Sequence, residues 1–104
     1  MKTNKIYDVT RQLEEGLAEY TGAKYAVVLD NCSNALFLAL MYENVKDTYI
    51  TIPNRTYPSV PCEIIHAGAK VKWEIVDGTT FKGAYQLKPS RVWDSALRFT
   101  ADMY

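Results

Sequence analysis

The feature that most constrains this chain is the alternation of short apolar runs with segments of helical periodicity. Three runs have the composition and length of strands, at 24–29, 49–52 and 70–75. Helical patterns of apolar residues occur at 9–20, 35–42 and 57–66. Because strands and helices alternate, the sequence predicts an α/β fold with a largely parallel sheet and flanking helices.

The run at 24–29 is almost continuously apolar, which is typical of a strand buried on both faces of a parallel sheet. We therefore expect it to be a central strand. Asp77 and Gly78 predict a turn, and a further short strand at 91–93 leads into Asp94. A chain of 104 residues with 48% hydrophobic residues is the size of one core, so a single domain over 1–104 is expected.

Charge and composition argue against several classes of function. Twelve Lys and Arg residues balance twelve Asp and Glu residues, so no strong positive field recruits nucleic acid or an anionic membrane. The start of the chain is polar, and the longest apolar run is too short to span a bilayer, which favours a cytoplasmic protein. Cys32 and Cys62 have no CxxC spacing, so no metal site is expected and both should be thiols.

Polar turns follow the predicted strands, where ligands of α/β sheets bind. The turn at 31–34 places backbone N–H groups and the Ser33 hydroxyl at a helix start, and aligned peptide dipoles there favour an anion such as phosphate. The alternative is that Ser33 or Asn31 only caps the helix.

Two further turns carry residues suited to an aromatic ligand. Tyr57 ends the turn at 53–57, where its ring can stack on a flat heteroaromatic ring; the alternative is a core residue or a hydrophobic staple at the helix start. Asp94 follows the last strand, where a carboxylate can pair with a protonated ring nitrogen. Its alternative is a helix cap.

Four blocks of the sequence occur in a characteristic order: LAEYTGAKYAV at 17–27, NCSNAL at 31–36, ITIP at 50–53 and HAGAKV at 66–71. In content and order they resemble the opening of the DegT/DnrJ/EryC1/StrS family of sugar aminotransferases, which use pyridoxal 5'-phosphate (PLP). The resemblance runs from about residue 9 to 76 and resumes at 92–96.

The resemblance implies specific roles for these residues. The family's phosphate-binding turn falls on Ser33 and Asn34, its stacking aromatic on Tyr57, and its Asp-x-Ala motif on Asp94 and Ala96. It further implies a fold-type I large domain, usually in a homodimer. Typical members transfer an amino group from glutamate or glutamine to a nucleotide-linked keto sugar, for polysaccharide or antibiotic biosynthesis.

The chain also departs from the family pattern. The Schiff-base lysine of the family follows the Asp motif, whereas Lys82 and Lys88 precede it, so no catalytic residue is assigned. We expect a partial large domain that lacks the lysine-bearing portion, and whether it is itself an enzyme stays open. The link at 77–89 is shorter than in the family. Alternatives are a non-catalytic α/β relic that acts in assembly or phosphorylated-ligand binding, and a PLP-dependent sugar dehydratase.

Overall fold

A computed structural model describes residues 5–76, 83–95 and 98–104, which divide into two compact units. One unit contains Met1–Leu29 and Phe99–Tyr104, and the other contains Asp30–Arg98. The elements are α1 (Lys5–Thr21), α2 (Cys32–Tyr42), β1 (Tyr49–Pro53), α3 (Ser59–His66), β2 (Lys70–Glu74), β3 (Tyr85–Gln86) and β4 (Trp93–Asp94). The α/β class is confirmed. The turn predicted at Asp77 and Gly78 lies outside the described residues.

The helix predicted over 9–20 is confirmed as α1, which begins four residues earlier. Its last carbonyls are satisfied by the end of the described chain: Tyr20 accepts from the Asp102 N–H, and Thr21 accepts from the Tyr104 N–H, both at 2.9 Å. Such partners replace the intrahelical hydrogen bonds that a helix end lacks. None of the helices in the described residues has the length and apolar character of a bilayer span.

The prediction of a strand over 24–29 is wrong. These residues form no strand in the structure, and the side chains of Tyr25 and Val27 are 78% and 77% exposed. A strand needs the backbone groups of a neighbour, and all the described strands belong to the other compact unit. One backbone group finds a side-chain partner instead, because the Val28 N–H donates to the Glu14 carboxylate at 2.8 Å.

The second unit is built on a parallel β1–α3–β2 motif. The register of the two strands runs from Tyr49 opposite Lys70 to Pro53 opposite Glu74. The strands and the helix predicted for this stretch are confirmed, with their ends displaced by at most two residues. The carboxyl ends of β1 and β2 therefore lie at one edge of the sheet, as expected for a parallel pair.

Side chains from α2, α3 and β1 make the core of this unit. Along β1, Ile50 and Ile52 are buried while Thr51 between them is half-buried, because one face of the strand is covered. The helices α2 and α3 pack against each other. The core cluster contains Leu36, Leu40, Val45, Ile50, Ile52, Val60, Ile64, Ala67, Ala69, Leu87 and Val92.

Residues 85–94 form an antiparallel ribbon. β3 pairs with β4 so that Tyr85 lies opposite Asp94, and Lys88 in the connection bridges to Thr51 on the other edge of β1. The last strand, predicted at 91–93, thus begins two residues later and includes Asp94. The prediction of a largely parallel sheet holds only for β1 and β2. The reason is the length of the connection, since parallel strands need a crossover of a dozen or more residues and antiparallel strands need only a turn.

Candidate functional site

The amino end of α2 is held by the side chain of Asn31. Asn31 has an extended backbone, and its Oδ1 accepts the Asn34 N–H at 2.8 Å. This bond satisfies one of the N–H groups that a helix start leaves without a partner. The capping alternative therefore applies to Asn31 and not to Ser33. The side-chain amide of Asn34 donates to both carboxylate oxygens of Asp30, at 2.8 and 3.0 Å.

The Ser33 hydroxyl lies beside a second helix start. Ser33 Oγ donates to Ser59 Oγ at 2.9 Å, and Ser59 is the first residue of α3. Both serines are half-buried. The positive ends of two helix dipoles and two hydroxyl groups therefore meet at this point. This combination of donors and dipoles suits an oxyanion such as a phosphate group.

Tyr57 lies in the turn that leads into α3, two residues before Ser59. Its side chain is 77% exposed, so the alternative that it is a core residue is wrong. Its carbonyl accepts the Val60 N–H at 3.0 Å, which ties the turn to the first residues of the helix. The exposed ring is available to stack on a flat ligand.

Asp94 is a carboxylate with only 5% exposure. The Tyr85 hydroxyl donates to its Oδ2 at 2.8 Å, and the Cys32 thiol donates to its Oδ1 at 4.0 Å. Because Cys32 is the first residue of α2, Asp94 lies at the same helix start as Ser33. The alternative of a helix cap is wrong, since Asp94 belongs to β4 and the described residues after it contain no helix.

The neighbours of Asp94 have altered acidity. Burial raises the pKa of the Cys32 thiol, and the charge of Asp94 raises it further. Burial also raises the pKa of the Tyr85 phenol far above its ordinary range, and the hydrogen bond to Asp94 adds to this shift. Both groups therefore keep their protons at neutral pH and serve as donors to the carboxylate.

A cavity of about 290 Å³ opens at the carboxyl ends of β1 and β2. Its walls include Pro53, Glu74, Lys88 and Trp93. Trp93 precedes Asp94 in β4, and successive side chains of a strand point to opposite faces. The Trp93 side chain and the Asp94 carboxylate thus occupy different faces of the ribbon. Tyr85, which donates to Asp94, also lines the cavity, whereas Asp94 is not one of the described residues that line it.

The structure gathers some of the predicted site residues and leaves others apart. Ser33 and Asp94 both adjoin the start of α2, and Tyr57 precedes the start of α3, whereas the Asn34 side chain is engaged by Asp30. Ala96 lies outside the described residues. Within the described ranges, no three His, Cys, Asp or Glu side chains form a group that can hold a metal ion.

Three polar residues of this cluster are not among the residues predicted from the sequence. Ser59 has one local signal, its position just after a proline at a helix start. Cys32 was predicted only to be a free thiol, although it is the first residue of α2. Tyr85 had no local signal, since its contact with Asp94 depends on the pairing of β3 with β4.

Comparison with known proteins identifies the family of this chain. The profile of the DegT/DnrJ/EryC1/StrS aminotransferase family matches residues 2–92. This chain therefore belongs to the DegT/DnrJ/EryC1/StrS aminotransferase family.

Two relatives are similar to part of the chain. The spore coat polysaccharide biosynthesis protein SpsC of Bacillus subtilis (strain 168) is 39% identical over 72 residues, which are 67% of this chain and 18% of SpsC. The UDP-4-amino-4,6-dideoxy-N-acetyl-beta-L-altrosamine transaminase of Campylobacter jejuni is 34% identical over 62 residues, 60% of this chain and 16% of that enzyme. The chain thus spans less than a fifth of the length of these relatives.

Proposed function

We propose that this chain supplies the cofactor-holding part of a PLP-dependent nucleotide-sugar aminotransferase. The position of Asp94 carries the proposal: a buried carboxylate lies at the helix start where Ser33 meets Ser59. A PLP site needs an anion cradle, a stacking face and a partner for the pyridine nitrogen. Family membership supports the same assignment.

The residues present fit the phosphate group of PLP. The hydroxyl groups of Ser33 and Ser59 are 2.9 Å apart at the starts of α2 and α3, and both can turn to donate to phosphate oxygens. Asn34 would contribute from the same turn once its amide exchanges Asp30 for the phosphate. In this assignment the two helix starts bind the anion together.

The remaining residues fit the ring of PLP. Tyr57 would stack on the ring face, Asp94 would hold the proton on the pyridine nitrogen, and Ala96 would complete the motif around Asp94. When bound, PLP supplies an electron-withdrawing ring that stabilises negative charge on the amino-bearing carbon of a substrate. The contribution of this chain is to bind and orient that ring.

The proposed activity of the whole protein is transfer of an amino group from glutamate or glutamine to a nucleotide-linked keto sugar. The names of the relatives support polysaccharide biosynthesis as the setting. The activity requires a Schiff-base lysine, and none of the lysines in this chain is assigned that role. The activity is therefore proposed for a protein that contains this chain together with such a lysine. We further propose a partial fold-type I large domain, a cytoplasmic location and a homodimer.

The proposal is tested by binding of pyridoxamine 5'-phosphate, which has the phosphate and the pyridine ring but cannot couple to surface lysines. Asp94→Asn should weaken its binding at least about tenfold, because the pyridinium loses its charged partner. Asp47→Asn makes the same change at an exposed position of the same unit and should leave binding unchanged. Equal affinity of all three proteins would refute the assignment of Asp94.

A second candidate is a non-catalytic protein that binds a phosphorylated ligand or acts in assembly. It is favoured by two hydrogen bonds within this chain, from Tyr85 to Asp94 and from Asn34 to Asp30, because they already occupy side chains assigned to the cofactor. In this case inorganic phosphate and pyridoxamine 5'-phosphate should bind with similar affinity, and Asp94→Asn should affect neither. Isothermal titration calorimetry with both ligands separates the two candidates.

A further inference from the structure

The Asp94 carboxylate is held by a phenol from the neighbouring strand. Tyr85 lies directly opposite Asp94 in the β3–β4 pair, so their side chains share one face of the ribbon. The Tyr85 hydroxyl donates to Oδ2 at 2.8 Å, while Oδ1 faces the start of α2, where the Cys32 thiol lies at 4.0 Å. The two carboxylate oxygens therefore have different surroundings.

A buried carboxylate without donors is costly, and one with a single strong donor is fixed in orientation. The Tyr85 bond has the usual length of a well-formed O–H···O hydrogen bond, whereas the thiol is a weak donor at a long distance. Because Tyr85 keeps its proton at neutral pH, the bond persists over the physiological range. Oδ1 is consequently the oxygen that remains for a stronger partner.

We propose that Tyr85 is a positioning residue that fixes Oδ2 of Asp94 and so directs Oδ1 toward the pyridine nitrogen of the cofactor. This inference rests on the proposed function for the identity of the ligand. It adds a residue that the family motif does not include, because Tyr85 lies in the short link before the Asp-x-Ala motif. Tyr85 acts through Asp94 and need not touch the cofactor.

The first experiment measures binding of pyridoxamine 5'-phosphate to the full chain. Tyr85→Phe removes only the hydroxyl and should weaken binding about tenfold. Tyr42→Phe makes the same change at a side chain that is 84% exposed and should bind like the unaltered protein. In the Asp94→Asn background, Tyr85→Phe should have no further effect, because its route to the ligand is already lost.

A matched ligand separates positioning from general loss of structure. An analogue of pyridoxamine 5'-phosphate with CH in place of the pyridine nitrogen offers Asp94 no proton. Tyr85→Phe should therefore leave its affinity unchanged. Equal weakening of both ligands would show that Tyr85 only supports the fold and would overturn the proposal.

A second measurement needs no ligand and uses a Cys62→Ser background, in which Cys32 is the thiol that reacts. Without the Tyr85 hydroxyl, Asp94 draws more strongly on the Cys32 proton, so the midpoint of the pH profile of alkylation should rise. The rise should disappear when Asp94→Asn is added. An unchanged profile in Tyr85→Phe would overturn the proposal.

The two measurements distinguish failure of the positioning role from failure of the proposed function. If the unaltered protein binds no pyridoxamine 5'-phosphate, the proposed cofactor-holding function is refuted. The pH profile of Cys32 alkylation then decides alone whether Tyr85 orients Asp94. If Tyr85→Phe does not fold, 3-fluorotyrosine at position 85 keeps the ring and makes the hydroxyl a stronger donor. The midpoint should then fall, and a midpoint that stays or rises would count against the role.

Discussion

β1 and the segment 24–29 are both short runs rich in aromatic and β-branched residues, yet only β1 is a strand. β1 pairs with β2 on one edge and meets Lys88 on the other, and its isoleucines are buried under α2 and α3. The segment 24–29 has no strand partner among the described residues of its unit, and it exposes the side chains of Tyr25 and Val27. The composition of a run therefore shows that it is suited to a β-strand, but it forms a strand only where another strand pairs with it.

The largest expected difference between the two regions is in the free energy of unfolding that is lost when a side chain is shortened to alanine. Ile52→Ala should lower the free energy of unfolding by about 2–5 kcal/mol, because the side chain is fully buried and leaves a cavity. Val27→Ala should change it by less than about 0.5 kcal/mol. Urea unfolding followed by circular dichroism measures both. Similar losses would mean that 24–29 is buried in solution, and the comparison would fail.

The glycines that precede β2, the strand paired with β1, and the segment 24–29 should differ less when replaced by alanine. Gly68 precedes β2 with φ +88°, and an added Cβ would lie 3.0 Å from the Lys46 Cγ; Gly22 has φ +83°, and its added Cβ would lie 3.6 Å from the Asp102 Cα. Alanine should cost about 1–2 kcal/mol at either position through backbone strain, with the larger loss at Gly68. Thermal unfolding of both variants tests the order, and a larger loss at Gly22 would reverse it.

The side-chain hydrogen bond to the segment 24–29 should have a local effect. Glu14→Ala removes the acceptor of the Val28 N–H, so exchange of that amide with solvent should accelerate about fivefold, which corresponds to about 1 kcal/mol. Glu15→Ala alters the exposed neighbour and should leave the exchange rate unchanged. Hydrogen exchange followed by NMR measures the two variants, and equal rates at Val28 would show that the bond does not protect it.

The smallest expected effect involves an exposed ion pair in the second unit. Arg91 donates from its backbone and its guanidinium to Glu43, and these hydrogen bonds lower the pKa of the Glu43 carboxyl below 4.5. A lowered folded-state pKa contributes stability that is present above pH 4.5 and is lost as the pH falls through the lowered value. Glu43→Gln should therefore reduce the melting temperature slightly at pH 7 and not at pH 2.

The matched control for the ion pair is a change of salt, since screening weakens exposed charge pairs. At 1 M salt the difference between Glu43→Gln and the unaltered protein should shrink at pH 7. If Glu43→Gln lowers the melting temperature equally at pH 2 and pH 7, the effect comes from the end of α2 and not from the charge of Glu43.

The parts of the fold that the sequence predicted depend on neighbouring residues. The β1–α3–β2 motif follows from alternating periodicities and a glycine after the helix, and α2 was predicted over 35–42 but begins three residues earlier, after its cap Asn31. The segment 24–29 was wrongly predicted to be a strand, and the antiparallel pairing of β3 with β4 was not predicted, because each depends on whether a partner strand lies alongside. A periodicity describes one element and carries no information about its neighbour.

The same distinction applies to the candidate site. Ser33, Tyr57 and Asp94 were found because each follows a predicted strand, where the turns of an α/β sheet gather. Ser59 and Tyr85 were missed because they matter through a hydroxyl contact with residues distant in sequence or across a strand pair. Sequence position points to candidate residues in the turns after strands, whereas the residues that contact them across the fold require the three-dimensional structure.

The ribbon of residues 85–94 has a consequence for the order in which the unit folds. The β1–α3–β2 motif closes through contacts that are close along the chain, whereas the Cys32–Asp94 contact joins residues 62 positions apart. Closing long loops costs more entropy, so contacts of this separation form late. Because the Ser33–Ser59 contact joins residues only 26 positions apart, we expect it to form before the Asp94 carboxylate reaches the start of α2.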